Sequence, residues 1–250
     1  MAKRFIVNAF GGFALGMVLS IPTFVHADGH SNTHDFKTWK QLSEGTYVFG
    51  SAGAAFIDQK LSSRIPRSGT ISFNTNDKDE TSFVTSVGIG LHMHRYFAFE
   101  VGYSYMTGAE YKGTITASNA NMANHIIDGS PSYTEDIYGH MLTMGIAGTS
   151  FDLNDGIGLG LRAGAVFFDI TDEMKLSGSG TLNGSAINGS NNAIKITDSG
   201  MSWTAGATVF IVPSINERFE LRANYMNGLE LDNFNKLNVT TAELSYRYRF

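Results

Sequence analysis

The chain has 250 residues, no cysteine, 28 glycines against 4 prolines, and a formal net charge of −5. The absence of cysteine excludes a disulfide framework, and the mildly acidic balance argues against a nucleic-acid partner. A mean hydropathy of −0.08, with no long apolar stretch beyond the N-terminus, excludes a bundle of membrane-spanning helices.

Lys3 and Arg4 precede the apolar run Phe5 to Leu19, the breaker Pro22 and the small-residue site Val25-His26-Ala27. This is the plan of a secretory signal peptide covering residues 1–27. Its removal takes away two of the 18 cations and none of the 23 acids, leaving 16 against 23, a net charge of −7. Residues 28–45 are polar and include His30, His34, Asp35 and Trp39. They are expected to form a short periplasmic segment. Their spacing matches no strong ligand pattern, so no metal is expected there.

From residue 46 onward, apolar side chains alternate with small or polar ones, the period of a strand with two unlike faces. The first strand, about Thr46–Ile57, alternates least because Gly50 to Ala55 are all small. The second, Ser82–Met93, sets Phe83, Val87, Ile89 and Leu91 against Ser86, Gly88, Gly90 and His92. The third sets Phe97, Phe99, Val101, Tyr103 and Tyr105 against Ala98, Glu100, Gly102 and Ser104. In the fourth, Tyr138–Thr149, Leu142, Met144 and Ile146 oppose Thr143, Gly145 and Ala147. After the turn signal Asn154-Asp155-Gly156, the fifth opposes Leu159, Leu161 and Phe167 to Gly158, Gly160, Arg162 and Gly164. The sixth opposes Trp203, Val209 and Ile211 to Ser202, Thr204 and Thr208. A short turn at Pro213–Glu217 leads to the seventh, with Phe219, Leu221 and Tyr225 against Glu220, Arg222 and Asn224. In the eighth, Leu244, Tyr246, Tyr248 and Phe250 oppose Glu243, Ser245, Arg247 and Arg249.

Long connections (about 58–81, 107–137, 170–201 and 227–237) alternate with turns of a few residues. Segregated loop lengths of this kind predict an all-β fold: an eight-stranded antiparallel up-and-down transmembrane β-barrel over residues 46–250. Its short turns lie in the periplasm and its long loops outside. The stretches Ser177-Gly178-Ser179-Gly180 and 183–192 are small and polar and are expected to bury too little to order themselves. The run Ala193–Thr197 fits an extension of strands five and six as a hairpin above the membrane.

Three constellations bear on function. Phe97, Phe99, Trp203, Phe219, Tyr246, Tyr248 and Phe250 face out, mostly at the turn-side strand ends, where aromatic rings suit the lipid–water boundary. Glu100, Arg162, Glu220, Arg222, Glu243, Arg247 and Arg249 face in. Eight strands enclose a space that side chains fill, and buried charges must pair or stay hydrated. A salt-bridge and water network is therefore expected to plug the periplasmic half of the lumen. If the last hairpin centres near Phe234 and Asn235, Glu220 lies opposite Arg249. In the alternative reading, the same charges gate a narrow channel for small solutes. The third constellation, His92, His94, His125 and His140 with nearby hydroxyls and acids, carries neither a nucleophile motif nor a metal motif. No enzyme, cofactor or metal site is expected from it.

Residues 46–250 resemble the small eight-stranded outer-membrane barrels of Gram-negative bacteria: the OmpA transmembrane domain, OmpX-type proteins, and the opacity-type or "porin family" surface proteins. The resemblance is carried by the topology, the inward Glu/Arg set and the terminal Tyr246-x-Tyr248-x-Phe250. It implies residence in the outer membrane, in contact with lipid and lipopolysaccharide, as a monomer. It also implies that Tyr246, Tyr248 and Phe250 serve as the signal read by the barrel-assembly machinery. The expected role is a surface-exposed structural or interaction protein, adhesin- or antigen-like, whose loops meet a host or environmental ligand. No peptidoglycan-binding domain is expected after Phe250, so cell-wall tethering is not implied.

Overall fold

The computed structural model describes residues 45–59, 66–94, 96–122, 124–154, 157–187, 192–214, 216–231 and 235–250. The expected signal peptide, and the expected periplasmic segment apart from Gly45, lie outside the described residues. The elements are β1 (Gly45–Gln59), β2 (Thr70–Asp79), β3 (Thr81–His94), β4 (Phe97–Met122), β5 (His125–Asn154), β6 (Ile157–Leu182), β7 (Ser185–Ala186), β8 (Asn192–Ser214), β9 (Glu217–Leu231) and β10 (Asn235–Arg249).

Eight of these close a ring. β1 pairs β3, then β4, β5, β6, β8, β9 and β10 follow in order, and β10 returns to β1, every pair antiparallel. The barrel expected from the alternation is the fold. Closure satisfies every ladder group without water, the requirement for strands in a hydrocarbon layer. β2 and β7 stand off the ring: β2 continues along β4 above the end of β3, and β7 pairs the far end of β6.

The long connections differ from expectation, being largely strand. β4 has 26 residues, β5 30, β6 26 and β8 23, whereas a tilted strand crosses a bilayer in about 9–11 residues. More than half of β4 and β5 therefore stands above the membrane, where β2, β4, β5, β6 and β8 form one continuous sheet. The apolar phase inverts at the boundary. Within the membrane Phe97 and Tyr105 on β4 face out; above it Tyr111 and Ile115 are fully buried inside. A register shift between Met106 and Ala109 turns the strand over by one residue. On β6 the same inversion needs no bulge: Leu161 and Phe167 face out, while Phe168, Ile170, Met174 and Leu176 are buried.

Ser177–Gly180, expected to be without order, is part of β6 and pairs with β5. Asn183 and Gly184, with φ of 54° and 79°, make the left-handed two-residue turn into β7 that an Asn-Gly pair favours. Small polar residues order here because alternate positions on the same strands carry Ile115, Ile137, Met174, Leu176 and Ile194 into a shared interior. Each contributes about 1.5–3 kcal/mol relative to an exposed side chain.

Candidate functional site

The described lumen has a charged layer on the turn side and an apolar layer on the loop side. The charged layer begins with rings laid over glycines. A Cβ at Gly90 would collide with the Tyr47 ring, one at Gly88 with Phe49, and one at Gly158 with Phe210. These rings lie against the barrel wall and present their faces to guanidinium groups. Arg218 stands 3.4 Å from the Phe210 centroid, Arg247 3.9 Å from Tyr47, and Arg222 4.3 Å from Phe49. Desolvated cation–π contacts of this kind contribute about 2 kcal/mol.

The arginines converge on two carboxylates. Glu220 receives Arg222 Nε at 2.5 Å, Arg218 Nε at 2.8 Å and Arg247 Nη2 at 2.8 Å, with Arg162 Nη1 at 3.7 Å. Glu100 receives Arg247 Nη2 at 2.9 Å, Arg162 Nη2 and the Tyr47 hydroxyl. Three of the expected inward cations, Arg162, Arg222 and Arg247, are brought together with Glu100 and Glu220. Arg249 lies inward at the strand end, half-buried. The expected pairing of Glu220 with Arg249 is not made. Glu220 stands opposite Ser245, because the β9–β10 pairing sets Asn235 against Leu231 and so centres earlier in the chain than Phe234 and Asn235.

Glu243 is held differently. Its Oε2 accepts from Ser51 Oγ at 2.5 Å and Ser86 Oγ at 2.9 Å; its Oε1 accepts from Thr241 Oγ1 at 2.8 Å and Asn224 Nδ2 at 3.4 Å. Ser245, Ser51, Ser86 and Ser104 sit in register across β10, β1, β3 and β4, forming a hydroxyl rung beneath it. A chamber of about 60 Å³ adjoins this group, lined also by Glu100, Arg162 and Arg222. Above the chamber Ile57, Val84, Met106, Met141, Val166, Phe168, Met226 and Val239 fill the lumen, none more than 4% exposed.

The expected girdle residues Phe97, Phe99, Trp203, Phe219, Tyr246, Tyr248 and Phe250 all face outward. Phe219 packs against Tyr246, and Tyr248 against Phe250, at the turn side. Trp203 meets Tyr225 edge-on at the loop side, where Phe56, Phe83 and Tyr105 complete a second belt. Just above it, Lys112, Lys175 and Lys195 project from the sheet. Hydrogen bonds to Glu110, Asp136 and Tyr138 respectively push the three ammonium groups above the ordinary lysine range.

The histidines are scattered. The His92 ring lies 5.0 Å from Tyr47 inside the lumen, His140 Nδ1 bonds the Tyr103 hydroxyl at 2.6 Å on the outer face, and His125 Nδ1 meets Asn183 Nδ2 at 3.1 Å at the far tip. The side chain of His94 lies outside the described residues. Arg218, Tyr47, Phe49 and Phe210 were missed by reasoning from the sequence. Arg218 shares strand parity with Glu220 and Arg222, the signal that places it, but an expected turn running to Glu217 left it outside the strand. The inner rings were hidden because a single aromatic among glycines does not read as a lumen lining.

Among solved structures, the chain is similar to Neisserial surface protein A, at 12% identity and a TM-score of 0.49, over 82% of this chain and 97% of that one. It is similar to Ail, the attachment invasion locus protein of Yersinia pestis, at 16% identity and 0.41, over 83% and 99%. It is also similar to the outer membrane protein OprG from Pseudomonas aeruginosa, at 11% and 0.44, over 84% and 99%. No curated protein matches significantly. Residues 41–250, which include the whole ring and the inward Glu/Arg set, match one family throughout, and the chain belongs to the OmpA-like transmembrane domain family.

Proposed function

We propose that the protein is a non-catalytic, surface-exposed interaction protein of the Gram-negative outer membrane, adhesin- or antigen-like, whose barrel is a closed anchor. The observation that carries this reading is the double filling of the lumen. An arginine–glutamate layer occupies its turn side, and an apolar layer lies directly above. Ions would have to cross both, and the apolar layer offers them no ligand. Meanwhile the sheet of β2, β4, β5, β6 and β8 carries a polar outer face well above the membrane, with Thr114, Thr116, Ser132, Thr134 and Ser177. A rigid platform of this kind suits a host or environmental ligand. Lys112, Lys175, Lys195 and Tyr138 stand at headgroup height against lipopolysaccharide. The closed ring, which leaves no unpaired edge within the membrane, suits a monomer.

The test is single-channel conductance of the refolded barrel in a planar bilayer, beside a variant with Glu220, Arg222, Glu243 and Arg247 neutralised. A silent parent supports the closed anchor. Steady conductance in the parent, altered by the substitutions, replaces it with a narrow channel for small solutes.

A further inference from the structure

The sheet that rises above the membrane keeps the sidedness of the barrel wall. From Met144, Phe167 and Trp203, all exposed to lipid, the β5–β6–β8 ladder continues upward without a register shift to Ser132, Ser177 and Lys195. Side chains alternate with period two, so these three stand on the same side as the lipid-facing residues below them. The outer face of the sheet therefore looks sideways, toward whatever stands beside the barrel in the outer leaflet.

That face is zoned by height. The first charged rung above Tyr138 is Glu110–Asp136–Glu173–Lys195, and the second is Lys112–Thr134–Lys175. Asp79 and Asp77 end these rungs on β2. Over β5, β6 and β8 the lysines stand proud of their partners: Lys175 and Lys195 have side-chain exposures of 47% and 56%, against 29% for Asp136 and 25% for Glu173. The ammonium groups are thus the charges presented outward there. The next rung, Asn74–Thr114–Ser132–Ser177, is neutral, and so is the pair Ser130–Ser179 above it. Ser132 lies about 20 Å along the strand from Tyr138.

The neutral rungs carry hydroxyl and amide groups, which both donate and accept hydrogen bonds. Among the described residues they carry no tryptophan, tyrosine or arginine, the anchors on which protein–protein interfaces depend. A ligand rich in hydroxyls matches them better than a protein does. Lipopolysaccharide has the same zoning: acyl chains, then phosphates and acidic sugars, then neutral sugars.

We propose that the outer face of this sheet docks the sugars of lipopolysaccharide standing beside the barrel. Lys112, Lys175 and Lys195 meet its phosphates and acidic sugars, and Thr114, Ser132 and Ser177 its neutral core sugars. The proposal rests on the reading of the sheet as an interaction platform and names the occupant of its outer face. The far tip, where Arg67 bonds Asn124 and His125 meets Asn183, is left to a host or environmental ligand.

The test uses the exported chain refolded into nanodiscs that contain either full-core lipopolysaccharide or lipopolysaccharide truncated after its innermost acidic sugars. The thermal unfolding midpoint is expected to be higher with the full core. The difference is expected to vanish in the double variant Thr114→Glu/Ser177→Glu, which puts charge on the neutral rung. Equal midpoints, or a difference that the variant retains, overturn the proposal. If the double variant does not fold, a photo-crosslinking residue in place of Ser132, in the outer membrane of cells, decides. A product carrying core sugars supports the docked face; a protein product, or none, overturns it. A conducting parent barrel removes the closed anchor without changing any of these outcomes, so the two readings fail separately.

Discussion

Glu220 and Arg247 meet at 2.8 Å, although the β9–β10 register places Glu220 beside Ser245 and Arg247 beside Arg218. The contact is diagonal. Residues two positions apart on one face stay within reach of long side chains, and the diagonal puts one carboxylate between two arginines that would otherwise face each other bare.

Breaking this contact from either side leaves buried charge. Glu220→Gln is expected to cost about 3–5 kcal/mol, the usual penalty when one member of a buried pair is removed. A double-mutant cycle on Glu220 and Arg247 is expected to give a coupling of about 0.5–3 kcal/mol, and the same cycle on Glu220 and Arg249 a smaller one. Urea unfolding in detergent measures both. Equal couplings would mean that the register found here is wrong.

The ring, its strand order and its two unlike faces were legible in the sequence because lipid and lumen impose opposite demands on alternate residues. Phe97 to Tyr105 and Phe219 to Tyr225 obey that rule without exception. The extension above the membrane was not legible by the same rule, because its apolar residues face inward. Tyr111 and Ile115 continue the odd-numbered apolar series of β4, yet the register shift after Met106 moves them from the outer face to the inner one. Periodicity carries no mark of which side is greasy. In the charged layer the inward charges were legible by parity, whereas their partners were not. Pairing depends on the β9–β10 register, where Glu220 meets Ser245 rather than Arg249, an offset of four residues along β10 that moves every diagonal contact.

On the closed-anchor reading proposed above, the apolar layer above the chamber is a second, independent seal. Phe168 lies against Gly200, where a Cβ would press on its ring, and is 4% exposed. Phe168→Ala is expected to cost about 3–5 kcal/mol through lost contacts and the cavity left behind. The variant is expected to stay silent in a planar bilayer, since the ion layer below remains. Combined with neutralisation of Glu220 and Arg222, it is expected to conduct. Conductance from Phe168→Ala alone would show that the charged layer does not close the lumen.

Alkaline stability is expected to depend on Tyr111. Its hydroxyl donates to the Ile57 carbonyl at 2.9 Å above the membrane. Burial, reinforced by the carboxylates of Glu80 and Glu135, pushes its pKa above the ordinary phenol range. The folded state therefore keeps a proton that the unfolded chain loses above about pH 10. The contribution is complete below that pH and is lost as pH rises toward the folded-state value. Tyr111→Phe is expected to lower stability at neutral pH by about 0.5–1.5 kcal/mol for the lost hydrogen bond, and to flatten the decline above pH 10. An unchanged alkaline slope in the variant would place the titration elsewhere.

Phe250 offers a way to separate folding from delivery. Its backbone N–H donates to the Thr46 carbonyl at 3.3 Å, its ring meets Tyr248 edge-on at 5.5 Å, and the residue is 61% exposed toward lipid. Within the finished barrel it therefore makes few contacts, and its deletion is expected to change stability in detergent by no more than about 0.5 kcal/mol. A role for Tyr246, Tyr248 and Phe250 as an assembly signal makes a different demand: the ring must be presented while the strand is still unpaired. Deleting Phe250 is then expected to lower the yield of folded protein in the outer membrane of cells while refolding in detergent proceeds normally. Heat-modifiable migration on gels measures the first and urea unfolding the second. Normal yield in cells would remove the signal role from Phe250. A parallel loss in detergent would assign the residue to the stability of the β1–β10 closure.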